Sequence, residues 1–280
     1  MKNLTAGLAL STLAFFAGNG HALTNSEDFD YAPGTSLSGQ AGGVGLLGPW
    51  AAASTFSVTA GSLSYPGLTS SGNRAVFTTD NFASFSATRR LAMGADGSTL
   101  WLSFLMRMDG NPSGLVSDLI FAPTSGNNLR IGKVGAADTR WGVVRDGGAE
   151  VLSATPIVAG MAALFVVRFD FNADANADDK VSIYIDPQPG AAPGAPVVTY
   201  ANNNFGSLYT SFQWAGGVAD FSAMPGAGSS SLDGIRGGDN YAAVAPLAAV
   251  PEPSALALMA AGLGLLGAAM ARRSRTSLRR

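Results

Sequence analysis

The sequence predicts an all-β domain, an antiparallel two-sheet sandwich of the jelly-roll type, placed between two short targeting segments. Glycine is abundant, with 36 residues in a chain of 280. Short runs of alternating apolar and polar residues recur between Gly, Asn, Asp and Pro, which is typical of strands joined by turns. No long stretch of the central region repeats apolar residues at helical spacing. These three observations favour about a dozen short strands packed as two sheets.

The strands follow one another at short intervals along the chain. The opening, residues 27–50, is extended and rich in glycine. Residues 99–108 (TLWLSFLMRM) are apolar enough on both faces for the strand to be central. Residues 163–171 and 180–186 form the clearest pair, joined by an acidic loop, and residues 231–236 are the closing strand. Shorter strands are predicted at 56–58, 62–65, 74–78, 115–121, 128–134 and 140–145.

The N-terminus carries the features of a secretory signal peptide over residues 1–22. A single lysine gives a minimal basic start, residues 4–18 are mostly apolar, and small residues precede the expected signal peptidase site after Ala22. A retained N-terminal anchor is the alternative. The β-sandwich domain is then expected to span residues 23–241 and to be followed by a linker over residues 242–250.

The last thirty-one residues combine three parts in a fixed order. The triplet Pro251-Glu252-Pro253 comes first and stays extended, because proline cannot continue a helix and restricts the residue before it. The uncharged run 255–271 would form a helix about 25 Å long, just short of a typical hydrocarbon core. Basic residues beside a span stay in the cytoplasm, so the body is expected outside it. Five arginines close the chain: Arg272, Arg273, Arg275, Arg279 and Arg280.

These three parts resemble a PEP-CTERM sorting segment over residues 251–275, with a basic cytoplasmic tail at 276–280. The resemblance implies a protein exported to the cell envelope or the medium by a bacterium that makes extracellular polysaccharide. It also implies transient anchoring in the inner membrane and cleavage near the triplet by an exosortase, a membrane-embedded cysteine enzyme. A plain C-terminal anchor is the alternative. The sorting signal would consist of Pro251, Glu252, Pro253, Arg272 and Arg273.

The mature chain lacks the side chains of several kinds of active site. It contains no cysteine, and the single histidine, His21, belongs to the predicted signal peptide. This excludes Ser-His-Asp and Cys-His catalysis, ordinary zinc or copper sites, and disulfides. Residues 23–249 carry 18 acidic and 11 basic side chains, a net charge of about −7. An acidic body argues against nucleic-acid binding, which needs a basic face.

The acidic loop after residues 163–171 offers a candidate calcium site. Oxygen-bearing side chains alternate along it, as in the first half of an EF-hand loop. The sixth position is Ala175 rather than glycine, the twelfth is Val181 rather than glutamate, and the loop joins strands rather than helices. Weak calcium binding is one hypothesis, and a polar hairpin loop without metal is the other. The candidate ligands are Asp170, Asn172, Asp174, Asn176 and Asp178.

Parts of the body resemble the concanavalin A-like and laminin-G-like sandwiches of bacterial surface proteins. These parts are residues 27–50, the strand 181–187 that ends in Asp-Pro, and residues 232–236. The resemblance implies a lectin-like domain, in which tryptophan rings can stack on sugars. Trp141 and Trp214 are the candidates, because their polar and glycine neighbours suggest a surface; core packing is the alternative. A β-helix is the rival fold, but no repeat of fixed period is present.

The sequence does not predict an enzyme. Sandwich hydrolases use paired carboxylates on one strand, and Glu27 and Glu150, the only glutamates of the body, lie in no such pattern. The prediction is therefore a non-enzymatic surface or matrix protein, with glycan binding as the hypothesis and calcium as the only cofactor considered. A secreted glycan-active hydrolase and a purely structural matrix component are the alternatives. The expected partners are signal peptidase, exosortase, the inner membrane and extracellular polysaccharide.

Overall fold

The computed structural model shows two antiparallel β-sheets packed face to face, with almost no helix in the part of the chain that it describes. The described residues are 23–79, 84–91, 97–109, 114–123, 128–172, 179–203, 209–218 and 228–248. They form fifteen strands and one short helix, so the predicted all-β two-sheet sandwich is confirmed for this part of the chain. The strands are β1 (Leu23–Glu27), β2 (Leu46–Ala52), β3 (Phe56–Thr59), β4 (Arg74–Thr79), β5 (Ser84–Leu91), β6 (Thr99–Asp109), β7 (Leu115–Pro123), β8 (Leu129–Lys133), β9 (Arg140–Arg145), β10 (Val151–Pro156), β11 (Ala162–Asp170), β12 (Asp179–Ile185), β13 (Val198–Asn203), β14 (Tyr209–Val218) and β15 (Gly228–Gly238), and the helix is α1 (Tyr241–Val244).

The two sheets differ in how the strands are ordered. Sheet A has the order β13-β12-β11-β6-β15-β4-β3, and β1 pairs with the C-terminal part of β15, beyond the part that pairs with β4. Sheet B has the order β10-β9-β8-β7-β14-β5-β2. Residues 99–108 were predicted to form a central strand, and β6 does lie in the middle of sheet A, between β11 and β15.

The core lies between the two sheets and is built from side chains that alternate along each strand. Leu102, Phe104 and Met106 point inward from β6, and all three are fully buried. Aromatic rings from the two sheets meet edge to face; Phe121 of β7 lies 5.5 Å from Phe169 of β11 between ring centroids. Each such ring removes a large apolar area from water, and full burial stabilises the fold by about 1.5–3 kcal/mol.

A third layer covers the outer face of sheet A. Leu63, Leu105 and Val166 belong to this second apolar cluster. Residues 62–65 were predicted to be a strand, and this prediction is wrong, because the segment lies across the sheet instead of pairing with it. Asp233 holds the segment by accepting hydrogen bonds from the Leu63 amide at 2.6 Å and from the Ser62 hydroxyl.

The predicted linker is also packed against the domain over its described part. Ala243, Val244 and Ala245 are buried against the outer face of sheet A. Asn240 caps α1 by accepting a hydrogen bond from the Ala243 amide at 3.0 Å. Small apolar residues resemble a flexible linker in sequence, but here they fill a surface that the sheet leaves apolar. The described residues 242–248 therefore pack as part of the folded domain rather than as a free linker.

Candidate functional site

A trough of small residues crosses the outer face of sheet B. The inward positions of β7 are Leu115, Leu119 and Phe121, so the alternate positions of that strand face outward. One row of paired residues across five strands carries only small side chains and one aspartate. Near this row the outer surface of the sheet lies close to the backbone. With strands about 4.8 Å apart, the row is about 19 Å long. Its members, from β5 to β9, are Ser86, Ala215, Asp118, Gly132 and Gly142.

Asp118 lies at the centre of this trough and is held beneath an arginine. Its side chain is fully buried, and its Oδ2 accepts a hydrogen bond from Arg130 Nε at 2.6 Å. Within the described part of the chain, its Oδ1 has no hydrogen-bond partner. Burial raises the pKa of Asp118 to about 6, although the Arg130 guanidinium acts in the opposite direction.

Glycine is required beside Asp118. Gly132 has a backbone φ of +145°, and a Cβ there would lie 2.6 Å from the Ser117 carbonyl oxygen. A side chain at this position would therefore displace the backbone of β7. Keeping glycine here preserves the pairing of β8 with β7 beside Asp118.

Arg130 faces an open cavity of about 260 Å³ above the trough. The Arg130 side chain is 32% exposed, and Nε is bound to Asp118, which fixes the orientation of the guanidinium. The terminal nitrogens of that group make no hydrogen bond to any of the described residues. A fixed arginine with free donors suits a hydroxyl, carboxylate or sulfate of a ligand. The cavity is lined by Ser84, Val116, Arg130, Val134, Ala136, Ala215, Gly216 and Gly217.

A second group of charged side chains lies at the β8–β9 end of the trough. The Lys133 ammonium is buried and donates to the carbonyls of Gly135 and Ala136 at 2.6 and 2.8 Å, and burial lowers the pKa of Lys133 to about 8. Glu150 reaches over Gly142, where a Cβ would lie 3.0 Å from its Oε1. Partial desolvation of this largely exposed carboxyl, together with the neighbouring Asp138, raises the pKa of Glu150 to about 7.

Asp118 and Glu150 therefore flank the same stretch of the trough. Asp118 is on β7, and Glu150 lies over Gly142 of β9, which is two strands away, or about 10 Å. Sequence reasoning missed this arrangement, because the two carboxyls are 32 residues apart and belong to no local motif. The alternation of residues 115–121 could have indicated that Asp118 faces away from the core.

The other glutamate of the body, Glu27, has a structural role. It is buried and forms an ion pair with Arg89, with 3.0 Å between Oε2 and Nη1. It also accepts hydrogen bonds from Tyr31 Oη at 2.8 Å and from Trp50 Nε1 at 3.1 Å. These partners occupy the carboxylate, so it is not available to a ligand.

The predicted sugar-stacking tryptophans lie in the core, which corrects that hypothesis. Trp141 is 1% exposed and packs edge to face on Phe165, and Trp214 is 0% exposed and donates to Ser117 Oγ at 3.1 Å. The polar neighbours that suggested a surface occupy the outward positions of the strands, so the tryptophans between them point inward. In a strand, successive side chains point to opposite faces, so Gln213 takes the outward direction and Trp214 the inward one.

The predicted calcium loop is described only at its start. Asp174, Asn176 and Asp178 lie outside the described residues, whereas Asp170 and Asn172 line a cavity of about 470 Å³. Asp170 Oδ1 accepts hydrogen bonds at 2.9 Å from both Arg168 Nε and Thr99 Oγ1. No group of three or more Asp, Glu, His or Cys in the described segments could hold a metal ion. Calcium binding therefore stays a prediction.

The targeting segments also lie outside the described residues. This applies to the expected signal peptidase site at Ala22, to Pro251, Glu252 and Pro253, to Arg272 and Arg273, and to the apolar run 255–271. Over the segments that the structure covers, no helix has the length and hydrophobicity needed to cross a membrane.

Comparison with known protein families supports the interpretation of the C-terminus. Residues 249–275 match the PEP-CTERM protein-sorting motif. A search of curated proteins found no match. The chain therefore carries a recognised sorting motif at the position that the sequence predicts.

Solved structures with a similar shape include enzymes that act on polysaccharides. A family 16 glycosyl hydrolase from Mycobacterium smegmatis is 16% identical with a TM-score of 0.48, and the alignment covers 77% of this chain and 100% of that one. An endo-β-1,4-glucuronan lyase from Trichoderma reesei is 12% identical with a TM-score of 0.44, covering 68% and 90%. The alginate lyase Aly36B is 14% identical with a TM-score of 0.41, covering 63% and 85%. Likenesses this distant say nothing about what this chain binds.

Proposed function

We propose that this chain, which carries a PEP-CTERM sorting motif at residues 249–275, is an envelope or matrix protein that binds extracellular polysaccharide in the trough of sheet B without cleaving it. The motif marks an exported protein that is processed by an exosortase-type membrane enzyme. The body would then fold outside the cytoplasm, where it could bind extracellular polysaccharide.

One observation carries the binding proposal, namely the fixed Arg130 beside the open cavity on the outer face of sheet B. The row of small residues runs across five strands for about 19 Å, with Arg130 over Asp118 and Glu150 over Gly142, so polar and charged groups line the path of an extended ligand. Thr88 and Gln213 point outward beside it and add polar groups along one wall. Sugar hydroxyls both donate and accept hydrogen bonds, and the oriented guanidinium supplies charged donors for them.

Titration of the full-length protein in detergent with the polysaccharide of the producing bacterium tests this proposal. A hydrogen bond from a charged group contributes about 1.5–3 kcal/mol, so Arg130→Ala is expected to weaken binding about 10- to 100-fold. Lys180→Ala removes one exposed cation from the opposite face and is the matched control. Equal affinities of both variants and the wild type would contradict the proposal, and no binding by any of them would favour a purely structural role.

Hydrolysis is the second candidate function, and the two carboxyls of raised pKa are the observation that favours it. Inverting glycosidases hold their acid and base about 6.5–9.5 Å apart, whereas the strands that carry Asp118 and Gly142, over which Glu150 lies, are about 10 Å apart. Against this, Asp118 is fully buried beneath Arg130, whereas a general acid must reach the glycosidic oxygen. New reducing ends that appear with the wild type and disappear with Glu150→Gln would establish hydrolysis.

A further inference from the structure

Residues 241–248, here called the C-terminal strap, lie across the outer face of sheet A. Ser103 Oγ on β6 donates to the Val244 carbonyl at 2.6 Å. Tyr241 Oη donates to the Gln188 carbonyl at 2.6 Å, and the Gly190 amide donates to the Ala245 carbonyl at 2.9 Å. Val244 and Ala245 are fully buried. The chain thus approaches its sorting motif while still bound to one face of the sandwich.

The strap stays attached to its last described residue. Leu247 forms a bridge with Leu68, and the Ala248 amide donates to the Gly67 carbonyl at 2.7 Å. A Cβ on Gly190 would lie 2.8 Å from the Cβ of Leu247, which shows how closely the strap is packed. The Leu247 side chain is nevertheless 58% exposed. The chain therefore leaves the domain on the outer surface of the third layer, the one that packs on the outer face of sheet A.

The tether between this exit and the predicted membrane span is short. Ala248 and Ala255 are seven residues apart in the sequence, so the length of the chain sets an upper limit on the reach of the tether. At about 3.1 Å per residue, an extended proline-containing segment of this length reaches about 22 Å.

The opposite face of the sandwich is farther from the exit than the tether can reach. The strap lies over β6 and β15, and two or three strands separate these from either edge of sheet A. Two or three strand spacings amount to about 10–14 Å, and the strap and the two sheets add two layer spacings of about 10 Å each. A path around the edge to the outer face of sheet B is thus about 30 Å or more, compared with about 22 Å of tether.

We infer that the anchored protein is oriented on the membrane, with the strap side of sheet A against the bilayer surface and the trough of sheet B turned away from it. The partner surface is the lipid headgroup layer, which the exposed Leu247 adjoins. This inference rests on the anchored stage of the proposed function. It means that a polysaccharide can occupy the trough before the chain is released, because the membrane and the ligand face opposite sides of the sandwich.

The absence of cysteine makes a direct test available. Leu247→Cys places a probe on the exposed part of the strap, and Ser84→Cys places one at an exposed position of sheet B beside the trough. Each full-length variant would be labelled with a fluorophore and reconstituted into phosphatidylglycerol-containing vesicles that carry spin-labelled headgroups. Loss of most of the fluorescence at position 247, with little loss at position 84, is the expected result.

Two controls separate the inference from the function on which it rests. A chain that ends at Val250 lacks the predicted span, and its probes should keep their fluorescence with the same vesicles. If the full-length chain does not float with the vesicles, anchoring itself is wrong and the inference is overturned with it. If the chain floats but both probes are quenched equally, or Ser84→Cys is quenched more, anchoring holds and the orientation is wrong.

Discussion

Replacement of Asp118 by asparagine should remove a pH dependence of stability that the wild-type protein carries. The carboxyl is fully buried, and its pKa is raised to about 6 from an ordinary value of 3.8. A raised pKa in the folded state means that ionisation costs more there than in the unfolded chain. The stabilising contribution is therefore fully present below about pH 4 and is lost as the pH rises through 6.

The magnitude follows from the size of the shift. A shift of about two pKa units corresponds to about 3 kcal/mol in full, of which ionised Asp118 should remove about 2–2.5 kcal/mol from the free energy of unfolding between pH 4 and pH 8. The asparagine side chain of the variant cannot ionise, and its amide oxygen can still accept the hydrogen bond from Arg130. Asp118→Asn should consequently lose about 2–2.5 kcal/mol less than the wild type over the same interval.

Urea unfolding of the wild type and of Asp118→Asn at pH 4, 6 and 8 measures this difference directly. Other buried acids, such as Asp233, titrate equally in both proteins and cancel in the comparison. If Asp118→Asn and the wild type lose the same stability between pH 4 and pH 8, then Arg130 compensates the buried charge fully and the argument from burial is refuted.

Three further predictions concern the core, the buried ion pair and the sorting signal. Trp214→Phe should cost about 1–3 kcal/mol because Ser117 loses a buried partner, yet leave polysaccharide affinity unchanged, and a loss of affinity in the folded variant would contradict the core assignment. Glu27→Leu should lower the free energy of unfolding by about 3–5 kcal/mol because it leaves Arg89 buried without its partner, and a change below about 1 kcal/mol would speak against this role. Glu252→Ala should keep the chain in the membrane fraction with its C-terminus at Arg280, as read by intact-mass spectrometry, whereas normal release would show that the triplet is not read.

The fold could be predicted from the sequence where strands alternate strongly or are buried on both faces. The central strand β6 and the pair β11 and β12 belong to this group. Strands β5 and β14 were missed, because serine, threonine, arginine and glycine dominate them and hide the alternation that Ala87 and Trp214 carry. Their place in sheet B is fixed by partners far along the chain, which no local pattern can show.

The candidate site was beyond sequence reasoning for a related reason. Asp118 and Gly142 are brought into one row by the register of three strands, and a one-residue slip would turn Asp118 into the core. The sorting signal was the opposite case. It is a short linear motif, so Pro251, Glu252 and Pro253 could be recognised in the sequence without any knowledge of the fold.

The position of β15 has a consequence for the order of events during export. This last strand lies between β6 and β4, and its C-terminal part also holds β1, so sheet A has no centre until Gly238 has crossed the membrane. Pairings this distant along the chain form slowly, because a long loop must close before they contribute. Gly238 is only 17 residues ahead of Ala255, so under the proposed anchoring the sandwich would complete itself just as the apolar run enters the bilayer. An arrest at that point would give the domain time to close before the processing enzyme acts.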